Sequence, residues 1–385
     1  MRKQKIAVIF GTRPDTIKLA PVILELRKER RYFDVVNIAT AQHRHMLDQV
    51  LEVFRIKPDY DLNVMRRKQT LAGITRSTIG SLDRVLAESK PDMVLVQGDT
   101  TTTFVGSLAA FYRRIPVGHV EAGLRTHDKA NPFPEEINRR LTSGIADLHF
   151  APTESARRAL VRENVPKDDI FVTGNTVIDA LKIAVRKQHT FSVPEMNAVA
   201  ERRRKIILIT MHRRENWGPP MESAARAIRR IAEKYPGIDL IFPVHLNPVV
   251  RDVVFRILGE VSNVSLIHPL DYLDFVNMMA RSYLVITDSG GVQEEAPSLG
   301  KPVLVLREVT ERPEAVEYGT VRLVGLDEER IVRATQKLLD DRHAYDAMAS
   351  ATNPYGDGLA ARRTVRIIKH YFGVSKSLPK TFVPR

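Results

Sequence analysis

The chain has 385 residues and no cysteine, which excludes disulfides and thiolate metal centres and gives no sign of an oxidising compartment. Hydrophobic residues make up 43% and charged residues 27%, the balance of a soluble globular protein of two or three domains. The net charge of +13 admits nucleic acid, an anionic surface or an anionic small substrate as partner. The basic clusters at 27–31, 66–68 and 202–205 are scattered and carry no interleaved aromatics, so nucleic-acid binding is not expected. The apolar run 6–10 is too short for a signal-peptide core and no run approaches a membrane span, so a cytoplasmic location without membrane contact is expected.

Short apolar, β-branched runs alternate with longer amphipathic stretches. The first set of expected strands is 6–10, 35–39, 93–96, 117–120, 148–151 and 170–172; the second is 206–210, 240–244, 264–267, 284–287, 303–306 and 321–324. Continuous apolar strands are buried on both faces, which means parallel sheets covered by helices. The pattern predicts an α/β fold with two Rossmann-like domains, residues 1–173 and 174–357, facing across a cleft. A connecting region at 174–204 carries charge runs and Pro194. By fold analogy, a helix near 360–372 within 358–385 packs back on the first domain, while the tail 375–385 is extended or loosely docked.

Open parallel sheets bind ligands at the carboxyl ends of their strands. The loops there are polar in both halves: Gly11-Thr12-Arg13-Pro14-Asp15, Gln97-Gly98-Asp99-Thr100 and Glu121-Ala122-Gly123 in the first, and Met211-His212-Arg213-Arg214-Glu215, His245-Leu246-Asn247 and Asp288-Ser289-Gly290-Gly291 in the second. The last of these follows the run 284–287 and opens a predicted helix with Ser289 as N-cap. Two glycines at a helix start let backbone N–H groups approach an anion, which the helix dipole favours. One turn on, Glu294 and Glu295 stand where a carboxylate accepts sugar hydroxyls, and Arg312 is placed to clamp a phosphate. The same stretch also reads as an ordinary strand–turn–helix corner. Arg13 and Lys18 straddle the first strand–helix turn and could reach a diphosphate; Lys18 equally suits a solvated helix face.

Asp99, Glu121 and Glu135 form the candidate acid/base set. Carboxyls sharing a pocket divide acid and base roles because repulsion and burial separate their pKa values. Asp99 reads alternatively as a cap of the following helix. Glu135 and Glu136 follow Pro134, a natural first helical residue; the alternative role for these two, stronger for Glu136, is dipole complementation and pairing with Arg139 and Arg140. His212, flanked by arginines, could donate to a departing diphosphate, or be structural. No G-x-G-x-x-G follows a strand, and no P-loop, H-E-x-x-H or EF-hand pattern occurs, so neither cofactor nor metal is expected.

Taken in order, Gly11-Thr12-Arg13-Pro14, Ile17-Lys18-Leu19-Ala20-Pro21, Gln42-His43-Arg44, Gln97-Gly98-Asp99-Thr100, Val120 to Thr126, Pro134-Glu135-Glu136, His212 to Asn216 and Asp288 to Glu295 give a chain that resembles the non-hydrolysing UDP-N-acetylglucosamine 2-epimerases from about residue 6 to 372. The resemblance implies a glycosyltransferase-B-like fold, a homodimer, and interconversion of UDP-N-acetylglucosamine and UDP-N-acetylmannosamine through UDP elimination and a 2-acetamidoglucal intermediate. It implies acid/base roles for Asp99, Glu121 and Glu135, with His212 assisting the diphosphate. Arg13, Ser289, Gly290, Gly291 and Arg312 would hold phosphates, Glu295 the ribose and Phe275 the uracil. Gln42, Gln69, Arg213 and His245 match positions where a second UDP-N-acetylglucosamine activates bacterial members; Lys68 stands where an arginine is usual, and Asp15 and His45 where glutamates are frequent. A hydrolysing relative, or a glycosyltransferase of the same fold, is the alternative.

Overall fold

The computed structural model describes residues 2–40, 44–65 and 69–384. The chain forms two compact units, Met1–Lys182 with Tyr355–Val383, and Ile183–Pro354. Among the described residues no helix is long and apolar enough to cross a membrane.

The first unit is built on seven parallel strands: β1 (Gln4–Phe10), β2 (Phe33–Ala39), β3 (Tyr60–Asp61), β4 (Met93–Gln97), β5 (Val117–Val120), β6 (Leu148–Ala151) and β7 (Ile170–Val172), in the order β3-β2-β1-β4-β5-β6-β7. Every expected strand is present. β3 is additional: it has no apolar run to announce it and joins the sheet edge through backbone pairing of Tyr60 and Asp61 with Ile38 and Ala39. The central strands are buried on both faces because helices cover both, with Ile9, Val94 and Val96 packed against Leu82, Leu86 and Val105. Strand order reverses between β1 and β4, the position where open α/β sheets bind ligands.

Helix Ala360–Tyr371 belongs to this unit. Its first backbone N–H groups, at Ala360 and Ala361, are accepted by the buried Asp179 carboxylate at 3.2 and 2.9 Å, supplying the cap that a buried helix start requires. Lys369 near its other end pairs with Glu29 at 3.0 Å. The tail beyond is held more firmly than a loose end. Phe382 is 5% exposed and its N–H donates to Val172 O of β7 at 2.9 Å.

The second unit carries six parallel strands: β8 (Ile206–Thr210), β9 (Asp239–Pro243), β10 (Val264–Ile267), β11 (Leu284–Thr287), β12 (Val303–Val305) and β13 (Val321–Leu323), ordered β10-β9-β8-β11-β12-β13. Here too the order reverses next to the first strand, between β8 and β11. Ile207, Ile209, Leu284 and Ile286 form the core with Ile228, Val254 and Leu338. The stretch before β8 is ordered on this unit: Asp274 accepts from Ser192 N and Oγ and pairs with His189 Nε2 at 2.6 Å, and Asn277 accepts from Arg186 N at 2.8 Å.

Candidate active site

The carboxyl edge of the first sheet is assembled from three strand ends. After β1, a Cβ on Gly11 would collide with the hydroxyls of Thr40 and Thr102, so the turn closes only with glycine. Asp15 accepts from Gly11 N at 3.1 Å and Thr12 N at 2.8 Å and fixes the start of helix Arg13–Lys28. Burial pushes its carboxyl up to about 6 against the pull of those hydrogen bonds. Arg13 is the first residue of that helix and half-buried. Lys18, expected at a diphosphate, is paired with a carboxylate: its Nζ spans both Glu121 oxygens at 2.7 and 2.5 Å. The side chains are 18% and 4% exposed, and the Gln97 amide also donates to Glu121. Glu121 has φ +62°, a left-handed conformation that turns the chain sharply out of β5.

Asp99 follows β4 through Gly98, at φ +71°. Its reading as a helix cap does not hold, because Thr100 takes that place and its hydroxyl accepts from Thr103 N at 3.2 Å. The Asp99 carboxylate is instead clasped by Arg139, from Nε at 2.9 Å and Nη2 at 2.6 Å, while Asn138 Nδ2 donates to Asp99 O at 2.9 Å. Both partners come from helix Glu135–Ile145, so the start of that helix is tied to Asp99. Pro134 stands one place before the helix rather than inside it. The two adjacent glutamates differ sharply. Glu136 is fully buried and accepts from the backbone N–H groups of Thr126 and His127 and from Arg139 and Arg140. Burial alone would raise its carboxyl, but the Thr126 N–H and Arg139 outweigh this and hold it below the ordinary range. Glu135 is half-buried, and no hydrogen bond or ion pair engages its carboxylate among the described residues. The structure thus brings Asp99 and Glu121 to neighbouring strand ends and links Glu135's helix to Asp99.

Beneath this edge, His119 on β5 is fully buried, and its Nε2 donates to Gly98 O at 2.7 Å. Burial pushes its pKa down to about 3, so the ring stays neutral and steadies the Asp99 turn.

In the second unit, β8 and β11 end side by side, with Thr210 and Thr287 hydroxyls 2.5 Å apart. Asp288 follows, fully buried. It accepts from His212 N, Arg213 N and Asn216 Nδ2 at 2.8, 2.9 and 3.0 Å, and its other oxygen lies 3.1 Å from His212 Nδ1. Burial would raise this carboxyl; His212 and the two backbone N–H groups reverse the effect and leave it lowered. Ser289 occupies the N-cap position of helix Gly290–Glu295, and its side chain makes no cap hydrogen bond. A Cβ on Gly291 would meet nothing within 4 Å, and one on Gly290 would lie 3.5 Å from a Glu311 carboxylate oxygen and 3.7 Å from the Arg213 guanidinium, which are paired with each other. The helix start is therefore open at Gly291, with an Arg213–Glu311 ion pair beside Gly290. Glu294 is buried and ion-paired to Arg312, while Glu295 is half-buried. Arg312, expected to clamp phosphate, has its guanidinium on Glu294 here. Phe275 lies half-buried on helix Tyr272–Arg281. His245 stacks on His212 with ring centroids 6.0 Å apart, while Gln69, in the first unit, donates to Ser77 Oγ at 3.2 Å. Gln42 and Lys68 lie outside the described residues. Among the described residues no group of three or more His, Asp or Glu could hold a metal ion.

Three participants were not singled out from sequence. Arg139 was legible only as a helical neighbour of the glutamates, His119 as an ordinary strand residue, and Asp288 as the first residue after an apolar run.

The family model described as UDP-N-acetylglucosamine 2-epimerase matches residues 25–369. The UDP-N-acetylglucosamine 2-epimerase of Bacillus subtilis (strain 168) is 55% identical over 382 residues, 99% of each chain. Among solved structures, UDP-GlcNAc 2-epimerase from Neisseria meningitidis, bound to UDP-GlcNAc, is 50% identical with a TM-score of 0.86, covering 95% of this chain and 100% of that one. The S. aureus MnaA–UDP structure is 50% identical with a TM-score of 0.88, covering 99% and 100%. These relatives share the glycosyltransferase-B-like α/β architecture seen in the two parallel sheets. With matches of this extent and identity, the chain belongs to the UDP-N-acetylglucosamine 2-epimerase family.

Proposed function

We propose that the protein interconverts UDP-N-acetylglucosamine and UDP-N-acetylmannosamine without releasing free sugar. The observation that carries this reading is the carboxyl edge of the first sheet. Two charge-paired carboxylates, Asp99 and Glu121, end adjacent strands there, and the helix bearing the half-buried Glu135 is tied to Asp99.

The C2 proton of the sugar is too weakly acidic for simple removal. Loss of that proton coupled to breakage of the C1–O bond delivers the electron pair to the departing UDP and leaves a C1=C2 double bond in a 2-acetamidoglucal. Protonation of C2 on the opposite face and return of UDP to C1 then give the epimer. The reaction needs a base and an acid on opposite faces, which Asp99, Glu121 and Glu135 supply between them. Lys18 and Arg139 pair with two of the three. The leaving diphosphate is met by Arg13, the backbone N–H groups at Ser289-Gly290-Gly291 and His212, with Arg312 completing the phosphate contacts, Glu295 the ribose and Phe275 the uracil. No cofactor or metal enters these steps. The enzyme works as a cytoplasmic homodimer that supplies cell-envelope polysaccharide synthesis. Gln42, Gln69, Arg213 and His245 receive a second UDP-N-acetylglucosamine as activator.

The test is incubation with UDP-N-acetylglucosamine in heavy water. Deuterium at C2 together with a UDP-N-acetylmannosamine signal is expected. Accumulation of free N-acetylmannosamine and UDP would mark a hydrolysing enzyme instead, and no turnover without an added acceptor would mark a glycosyltransferase.

A further inference from the structure

We infer that Asp288 is a positioning residue that holds the His212 ring so that the proton exchanged with the diphosphate is carried on Nε2. The inference rests on the role proposed above for His212, and the geometry beneath it is independent of that role. The two carboxylate oxygens divide their work. Oδ2 gathers the loop after β8, accepting from His212 N, Arg213 N and Asn216 Nδ2. Oδ1 is buried and has no hydrogen-bond partner among the described residues, and His212 Nδ1 lies 3.1 Å from it.

A fully buried carboxylate is acceptor-only, so the ring nitrogen facing it must carry a hydrogen. That fixes Nδ1–H, which leaves Nε2 on the half-exposed side of the ring as the nitrogen that gains and loses a proton. The neighbouring ring is set the other way. His245 Nδ1 accepts from Asn247 N at 3.2 Å, which places a ring hydrogen on Nε2, and the ring stacks on His212. Among the charged groups nearby, Arg213 Nε donates to Asp288 O at 2.9 Å, and Glu215 and Glu311 are each paired to both Arg213 and Arg307.

The discriminating substitution is Asp288→Asn. Its amide oxygen can take the place of Oδ2 and keep the loop, which turns the NH2 group against Nδ1. Nδ1 must then accept, the proton moves to Nε2 and stays there, and the ring can no longer pass it on. The expected result is a fall in kcat of about 100-fold or more, the scale of lost proton transfer and of a mis-set histidine tautomer, with UDP affinity within about threefold and melting temperature close to wild type. In nitrogen-15 spectra of the ring at alkaline pH, the wild-type protein is expected to carry its His212 proton on Nδ1 and the Asn variant on Nε2. A wild-type ring protonated on Nε2 would overturn the inference, as would an Asn variant with near-normal kcat. The spectra are recorded on the resting wild-type protein, so they decide the case even if the variant does not fold. A wild-type chain showing no C2 exchange would sink the proposed function and leave the ring measurement standing.

Discussion

Lys18→Met isolates an enclosed ion pair at the proposed acid/base edge. Lys18 Nζ reaches both Glu121 oxygens at 2.7 and 2.5 Å, with the side chains 18% and 4% exposed. Removing one partner of a buried pair costs about 3–5 kcal/mol, because the other charge is left without compensation. The Gln97 amide still donates to Glu121 and the lysine is not wholly enclosed, so roughly 2–4 kcal/mol is expected here. At about 2–4 °C per kcal/mol for a unit of this size, the melting temperature should fall by about 5–15 °C. The assay is calorimetry on Lys18→Met, Glu121→Gln and the double variant. If Lys18 acts by pairing with Glu121, its removal from the Glu121→Gln background costs under about 1 kcal/mol, leaving a large coupling energy. kcat for epimerisation should drop by about 100-fold or more in Lys18→Met, since a buried carboxylate deprived of its cation takes up a proton rather than stay charged. Simple additivity of the two single effects, or wild-type turnover in Lys18→Met, would refute the reasoning.

The adjacent glutamates should separate cleanly. Glu135→Gln is expected to leave stability within about 0.5 kcal/mol, as for a surface position, while lowering kcat by about 100-fold or more; Glu136→Gln should cost about 2–4 kcal/mol by chemical denaturation, because four donors converge on that buried carboxylate. Gly11→Ala should destabilise by several kcal/mol in the same assay, whereas Gly291→Ala, with open space at its Cβ, should fold normally and weaken UDP binding measured by calorimetry. His119 has a folded pKa near 3 against 6.5 unfolded, so the stability it contributes is complete above 6.5 and is lost as pH falls from 6.5 towards 3. By pH 5 that loss is about 2 kcal/mol, and removing it in His119→Gln should shift the slope of melting temperature against pH, raising stability at pH 5 relative to pH 7 compared with wild type. An unchanged slope would remove His119 from the account. Asp15 and Asp179, raised to about 6, act in the opposite sense, adding stability as pH falls from 6 towards 4.

Much of the molecule is determined locally. Strands such as β4, β8, β11 and β12 are built on apolar runs, and burial on both faces leaves such runs little else to become. The polar loops at their carboxyl ends follow from the same rule, which is why Asp99, Glu121, His212 and Ser289 could be named from sequence. The two-residue β3 carries no such signal, since its pairing is backbone to backbone and indifferent to side-chain type.

Partner choice lay beyond the sequence alone. Lys18 suits a phosphate or a carboxylate equally well until folding carries it across 103 positions to Glu121. Glu294 and Glu295 are equivalent in the sequence pattern; helical geometry turns one inward onto Arg312 and leaves the other half-buried. The Asp288–His212 contact spans 76 positions and joins two strand ends that are neighbours only because β11 pairs with β8. Periodicity, set by residues a few places apart, determines which segments are strands and helices. The charge on a buried group is set by whatever the completed fold brings within 3 Å, and distance along the chain carries no record of that.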